Sequence, residues 1–149
     1  MLLVMSSMRD EEPLADFADL VLNVGRLIRA HTPGDSQLVA LTETERQVMR
    51  LIDLYPGCAP SEIAARARLQ RTNVSAALRE LEGKGMIRRS TTGRHVSVTP
   101  TRLAATNLQR LRSAWAGQLA QALDADGETL LQCTEMLRAL EQRLIEPTE

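Results

Sequence analysis

The periodicity of the apolar residues departs from helical spacing in one segment of this chain, and that segment constrains the fold. Over residues 41–81 apolar residues recur three and four positions apart, the spacing of helices that bury one face. The run Glu82-Gly83-Lys84-Gly85 ends this pattern, because glycine after a basic last turn is a typical helix stop. Residues 86–99 then predict a two-stranded hairpin with Gly93 at its turn. The expected fold is therefore mainly α with one small β-hairpin.

Start and stop signals divide residues 41–81 into three helices. Thr42 followed by Glu45 forms a capping-box pattern, which predicts the start of a helix that Tyr55-Pro56-Gly57 ends. A second, short helix begins at Ala59-Pro60 and leads through residues 68–71 into a third. The buried face of the third helix is predicted to hold Val74, Ala77, Leu78 and Leu81.

Two short helices followed by a basic hairpin are typical of a winged helix-turn-helix domain, here predicted over residues 36–100 with the wing at about 86–99. The charge agrees with this interpretation. Residues 61–95 hold eight cationic and three acidic side chains, in a chain whose net charge is −1. A local excess of positive charge favours a polyanionic partner at that segment. The three aromatic residues are too few for base stacking along single strands, so double-stranded DNA is the expected partner.

Amphipathic helices are predicted on both sides of this core. Residues 10–31 form an N-terminal helix that starts at Asp10-Glu11-Glu12-Pro13. Residues 101–146 form two helices, and the last has a heptad-like apolar seam. A single copy would expose these apolar faces, so both flanks are interpreted as dimerisation helices. The dimer contacts are predicted at Leu14, Phe17, Val21, Leu130, Cys133, Leu137, Leu140 and Leu144.

DNA contacts are predicted on the outer face of the third helix and on the hairpin. Arg79 can pair with guanine, Asn73 with adenine, and Ala76 can contact a thymine methyl group. Asn73 could equally cap its helix, and any single surface arginine could be only a solvated charge. The predicted recognition-helix set is Gln70, Arg71, Thr72, Asn73, Ser75, Ala76 and Arg79. The predicted wing and phosphate-backbone set is Arg66, Arg68, Arg88, Arg89, Thr92 and Arg94.

Several short motifs resemble, in their order and spacing, the core of the MarR (multiple antibiotic resistance regulator) family. The motifs are Leu-Thr-x-x-Glu at 41–45, Glu62-Ile63-Ala64, Val74-Ser75, Leu81-Glu82-x-x-Gly85-Met86-Ile87-x-Arg89 and Val98-Thr99-Pro100-Thr101. The resemblance implies a homodimeric regulator of a pseudo-palindromic operator. A repressor that a small-molecule effector releases is the favoured form, although an activator would use the same contacts.

The wing departs from the family pattern. Its tip, residues 90–94, is several residues shorter and lacks the usual aspartate, so the candidate wing arginine Arg94 has no acidic brace. In the resembled family small aromatic effectors bind between the dimer arms and the winged domain. That resemblance implies a pocket lined by Arg29, His31 and Trp115, although Trp115 is most simply a core residue.

Other classes of function are disfavoured. No nucleophile–base arrangement or phosphate-binding glycine loop is present, so neither an enzyme nor a cofactor is expected. Cys58 and Cys133 form no CxxC and are read as ordinary cysteines, and the two histidines are far apart, so no metal site is expected. With no membrane span or signal segment evident, the expected compartment is the cytoplasm. The alternatives kept are a winged-helix protein-interaction module and a non-specific nucleoid-associated protein.

Overall fold

The computed structural model describes residues 2–32 and 34–146, with side chains from residue 11 onward. Over these residues the chain forms α1 (Leu2–Ala30), α2 (Glu43–Leu54), α3 (Pro60–Ala67), α4 (Arg71–Gly83), β1 (Ile87–Thr92), β2 (His95–Pro100), α5 (Arg102–Ala122) and α6 (Gly127–Ile145). The predicted fold class, mainly α with one antiparallel hairpin, is confirmed. No helix within the described residues is long and apolar enough to cross a membrane.

The chain divides into two compact units. The first contains α1 and the C-terminal half of α5, and the second contains α2–α4, the hairpin, the start of α5 and α6. Within the first unit, the indole Nε1 of Trp115 donates to the hydroxyl of Thr32 over 3.2 Å. The Gln118 amide donates to the carbonyl of Ile28 over 3.3 Å. These bonds join the end of α1 to α5.

Helix α1 starts earlier than the sequence predicts. The acidic run before Pro13 suggested a start at Asp10, but the helix begins at Leu2 and places Pro13 in its interior. Residues 2–12 contain no glycine or proline to stop a helix. The acidic residues therefore lie within α1 and do not mark its first turn.

The core of the second unit lies where α2, α3, α4 and the hairpin meet. Its fully buried side chains are Val48, Ile52, Ile63, Val74, Leu78, Leu81, Met86 and Val98. The hairpin is attached through its second strand, because Gly57 N–H donates to the carbonyl of Val98 and Val98 N–H donates to that of Cys58. Gly93 turns the hairpin with a φ of 63°, as the sequence predicts.

The capping box at the start of α2 is confirmed and forms part of a larger buried network. The Thr42 hydroxyl accepts from Glu45 N–H, and the Glu45 carboxylate accepts from Thr42 N–H. The same carboxylate accepts from Lys84 Nζ over 2.7 Å, and Lys84 also donates to the carbonyl of Ala40. Burial by itself raises the pKa of Glu45, but the bonds from Lys84 and Thr42 outweigh it and leave that pKa below its ordinary value. The network ties the end of α4 to the start of α2.

We expect Lys84→Met to lower the free energy of unfolding by about 2 kcal/mol at neutral pH, because it leaves the Glu45 carboxylate buried without its cation. Since the folded state depresses the pKa of Glu45, the stabilisation is present above its ordinary pKa of 4.5 and is lost as the pH falls below it. Urea unfolding at several pH values should therefore show the loss shrinking in acid. Arg46→Met, which removes an exposed partner of Glu43, is the control and should cost less than about 1 kcal/mol. Equal losses for both variants would contradict this account.

Candidate nucleic-acid interface

Helix α4 presents a line of exposed side chains directly opposite its buried face. The predicted inward set is confirmed: Val74, Ala77, Leu78 and Leu81 are all buried. Thr72, Ala76 and Arg79 are exposed, and their spacing of four and three residues puts them on one line along the helix. This outward line contains small side chains and one arginine, so it can approach the base edges in a major groove.

The two flanks of α4 differ. On one flank, Asn73 and Glu80 line a shallow groove with Thr42 and Thr44 at the start of α2. On the other flank, Glu82 pairs with Arg89 of β1, with 3.1 Å between Nε and Oε2. This ion pair is one of the links between the wing and α4.

The N-terminus of α4 is not capped by a side chain. Gln70 occupies the N-cap position with no side-chain bond, and Asn73 lies inside the helix as its third residue. The alternative that Asn73 caps the helix is therefore wrong. An uncapped helix N-terminus carries partial positive charge and open N–H groups, which suit a phosphate. Gln70, Arg71 and Ser75 are exposed near this end.

Arg68 adopts a left-handed conformation in the turn between α3 and α4. With φ of 55° and ψ of 40°, it ends α3, and it is the one non-glycine residue with positive φ in the described part of the chain. This conformation costs an L-residue about 1–2 kcal/mol, and glycine adopts it without that cost. Its side chain is exposed, so no packing contact explains the choice of arginine.

Two of the other arginines predicted to contact DNA have partners within the protein. Arg89 pairs with Glu82, as described above. The guanidinium of Arg66 lies 3.9 Å from the ring centroid of Tyr55, which holds it by a cation–π contact. The remaining members on the wing, Arg88, Thr92 and Arg94, are exposed. Because strand residues alternate, Arg88 and Thr92 share the face opposite to Arg89.

The residues implied as an effector pocket all belong to the first unit. Trp115 is half-buried, so it is not a fully buried core residue. His31 Nδ1 lies 2.8 Å from the carbonyl oxygen of Leu27, in the last turn of α1, and Arg29 precedes it. The bond from Trp115 places the indole at Thr32, the residue that follows His31 in the chain. Whether these groups bind a ligand stays a prediction.

The predicted dimer contacts leave apolar surface on a single copy. Phe17 is half-buried, whereas the other seven members, Leu14, Val21, Leu130, Cys133, Leu137, Leu140 and Leu144, are exposed. Cys58, by contrast, is buried, and burial raises the pKa of its thiol, which disfavours the reactive thiolate. In the described part of the chain no cluster of three or more metal-ligating residues occurs.

Residues 41–92, which hold α2–α4 and β1, match the model of the MarR family. These residues therefore form a MarR-like domain. No curated protein matches the chain significantly. Among solved structures, a proposed transcriptional regulator of Pseudomonas aeruginosa PA01 is 28% identical, with a TM-score of 0.69 over 90% of this chain and 96% of that one.

Two further structures share the MarR fold at lower identity. A MarR family protein of Bacillus stearothermophilus has a TM-score of 0.65 at 12% identity, covering 91% of this chain and 98% of its own. BpsR of Bordetella bronchiseptica, whose DNA binding is regulated by 6-hydroxynicotinic acid, has a TM-score of 0.58 at 16% identity, covering 86% and 98%. The chain thus has the fold of MarR-family transcription regulators along most of its length.

Sequence reasoning missed three side chains of this surface. Tyr55 carries a helix-stop signal in the sequence, and its contact with Arg66 joins the C-cap of α2 to a residue of α3 eleven positions away. Glu82 belongs to a stop signal and to a family motif in the sequence, and neither predicts its ion pair with Arg89 of the wing. The position of Glu80 on this surface could be predicted from helical spacing, because it lies one turn beyond Ala76 on the same flank of α4 as Asn73.

We expect Arg68→Gly to raise the free energy of unfolding by about 1 kcal/mol, because glycine relieves the left-handed backbone conformation. Arg68→Lys keeps both the strain and the charge, so its stability should stay within about 0.5 kcal/mol of the wild type. Chemical denaturation of the three proteins measures the difference. A destabilised glycine variant would mean that the Arg68 side chain makes a stabilising contact large enough to outweigh the strain.

Proposed function

We propose that this MarR-family protein is a homodimeric repressor that binds a pseudo-palindromic operator in double-stranded DNA. The observation that carries the proposal is the exposed line Thr72, Ala76 and Arg79 on α4, beside a basic wing. Helix α4 enters the major groove, where Arg79 reads a guanine, while α3 braces it across the backbone. Asn73 and Ser75 read further base edges from the two sides of α4.

Phosphate contacts fix the register of α4 on the duplex. Gln70 and Arg71 bind a phosphate at the uncapped helix N-terminus, and Arg66 and Arg68 bind the backbone from α3 and its following turn. Arg88 and Thr92 bind the adjacent backbone from the outer face of the wing, and Arg89 contributes while held by Glu82. Arg94, next to the hairpin turn, enters the minor groove where the potential is most negative.

The apolar surfaces of α1 and α6 are proposed to be covered by a second copy of the chain. Leu14 is 67% exposed and Leu144 is 59% exposed, values that a soluble protein rarely keeps on a contiguous surface. A two-fold axis then sets the two α4 helices on half-sites about 34 Å apart. Such a dimer acts on DNA in the cytoplasm.

An effector is proposed to release the repressor from its operator. The Trp115 indole donates to Thr32 just after the end of α1, and Arg29 and His31 lie close to Thr32 in sequence, which supports a pocket there. An aromatic ring suits Trp115, and an acidic substituent suits Arg29. The regulation of BpsR by 6-hydroxynicotinic acid supports a small aromatic acid as the class of ligand. Such a ligand acts only if it binds one spacing of the recognition helices better than another.

The decisive experiment is a selection on genomic DNA. The purified protein is mixed with sheared DNA of its source genome at about 150 mM salt, and the retained fragments are sequenced. Enrichment of a few pseudo-palindromic sites is expected. Retention without enrichment would indicate a non-specific nucleoid protein, and no retention would indicate a protein-interaction module; either outcome overturns the proposal.

Arg79→Ala should weaken binding to the selected operator by about 1–3 kcal/mol and relax the base preference at one position of each half-site. Titrations against the operator and against single-base variants of each position measure both effects. Arg112→Ala removes an exposed arginine of α5 and serves as the control, with affinity unchanged. If Arg79→Ala bound as tightly and as selectively as the wild type, Arg79 would not be a base-reading residue.

Leu140→Glu should convert the dimer into monomers, because it puts a charge on the apolar face of α6. Gln142→Glu adds the same charge to an exposed position on another side of α6 and should remain dimeric. Sedimentation velocity at micromolar concentration separates the two forms. If both variants remained dimers, the contact between the two copies would lie on a different surface.

A further inference from the structure

A bidentate ion pair joins α2 of the winged domain to α6. Arg50 Nε donates to Glu141 Oε1 and Arg50 Nη2 donates to Glu141 Oε2, each over 2.7 Å. The parallel geometry uses the planar fork of the guanidinium, which makes the pair stronger and more directional than a single contact. The bond from Arg50 also holds the pKa of Glu141 below its ordinary value, so the carboxylate is charged at neutral pH.

Few side chains of α6 are buried against the winged domain. All side chains from Gly127 to Leu140 are exposed, and only Glu141 and Ile145 are half-buried between there and residue 146. These two residues are one turn apart and therefore share a face of α6. Ile145 packs against the core of the domain, and Glu141 pairs with Arg50. The ion pair and the packing of Ile145 thus both hold α6 on the domain.

The same helix carries the apolar surface assigned above to the second copy. Leu137, Leu140 and Leu144 lie about 90° around α6 from the face that holds Glu141 and Ile145. A partner on that surface and the winged domain would therefore bind adjacent faces of a single helix. Because α6 is stiff over this length, the orientation of the winged domain on one face constrains the orientation of the partner copy on the adjacent face.

On the domain side, Arg50 belongs to a rigid part of the structure. It lies on α2 between the buried side chains Met49 and Leu51. The start of α2 is tied to the end of α4 by the Glu45–Lys84 bond. Arg50 is therefore on a helix that is tied directly to α4.

We infer that Arg50 and Glu141 are positioning residues, which fix the winged domain on α6 and so set the spacing of the two recognition helices. The inference rests on the proposed function, since it requires a dimer that reads two half-sites. Neither residue contacts DNA in this scheme. Their loss leaves the winged domain intact but lets it sample directions that do not fit both half-sites.

The test measures operator affinity for Arg50→Gln, Glu141→Gln and the double variant. The probe is a fluorescently labelled duplex carrying the operator recovered by the genomic selection. Each single variant should weaken binding about two- to fivefold per protomer, the range expected for a partly exposed ion pair. The double variant should be no weaker than either single one, because all three lack the same contact. Glu135→Gln, an exposed glutamate of α6, is the control and should bind as the wild type does.

Two further readouts separate positioning from other roles. The slope of affinity against salt concentration should change by much less than one phosphate contact contributes, because only the screening of an exposed ion pair is lost. Base preference should also stay unchanged, whereas amide hydrogen exchange in the last turn of α6 should accelerate. A variant that only destabilised the fold would accelerate exchange throughout α2 and α4 as well.

The possible failures are distinct. If the wild type binds its operator and Glu141→Gln binds equally well, the positioning role is wrong while the proposed function stands. Additive losses in the double variant would also overturn it, because the two residues would then act independently. If the slope of affinity against salt concentration fell in Arg50→Gln by the amount expected for one phosphate contact, Arg50 would be assigned to the DNA backbone. If the wild type selects no operator at all, the proposed function fails and the positioning role fails with it.

Discussion

The buried carboxylate of Glu45 is the interaction on which the arrangement of the winged domain depends. It joins Thr42 at the start of α2 to Lys84 at the end of α4, and Lys84 reaches on to the chain before α2. Apolar packing fixes the rotation of α4 about its axis, because four of its side chains are buried. The ion pair fixes the position of its far end. Packing and charge together decide which side chains of α4 face outward.

The arginines of the basic segment fall into two physical groups. Arg66 and Arg89 are held by Tyr55 and Glu82, so their guanidinium groups are already ordered. Arg88 and Arg94 are exposed on the hairpin. A long free side chain loses rotamer entropy when it binds, whereas a side chain that is already held loses less. In the proposed complex with DNA, the held arginines would therefore act as fixed contacts and the exposed ones as adaptable contacts.

Patterns among residues close in sequence predict much of the fold, whereas contacts between distant residues leave no such pattern. The capping box of Thr42 and Glu45 and the helical spacing of α4 involve residues within a few positions, so their outcome follows from the sequence. The start of α1 was misplaced because acidic residues before a proline resemble a first turn even inside a helix. Arg68 gave no signal, since arginine seldom adopts a left-handed conformation. Arg50 and Glu141 are 91 positions apart, and no periodicity links them.

Lys84 is the single lysine among eighteen cationic residues, and its amine is already engaged by Glu45 and Ala40. All other side-chain cations of the basic surface are therefore guanidinium groups, which lysine acyltransferases do not modify. Acetylation of the ε-amine, a common way to neutralise a DNA-binding surface, has no target there. Acylation of Lys84 itself would break its bond to the buried Glu45 carboxylate, so its consequence would be a less stable domain rather than a graded loss of surface charge.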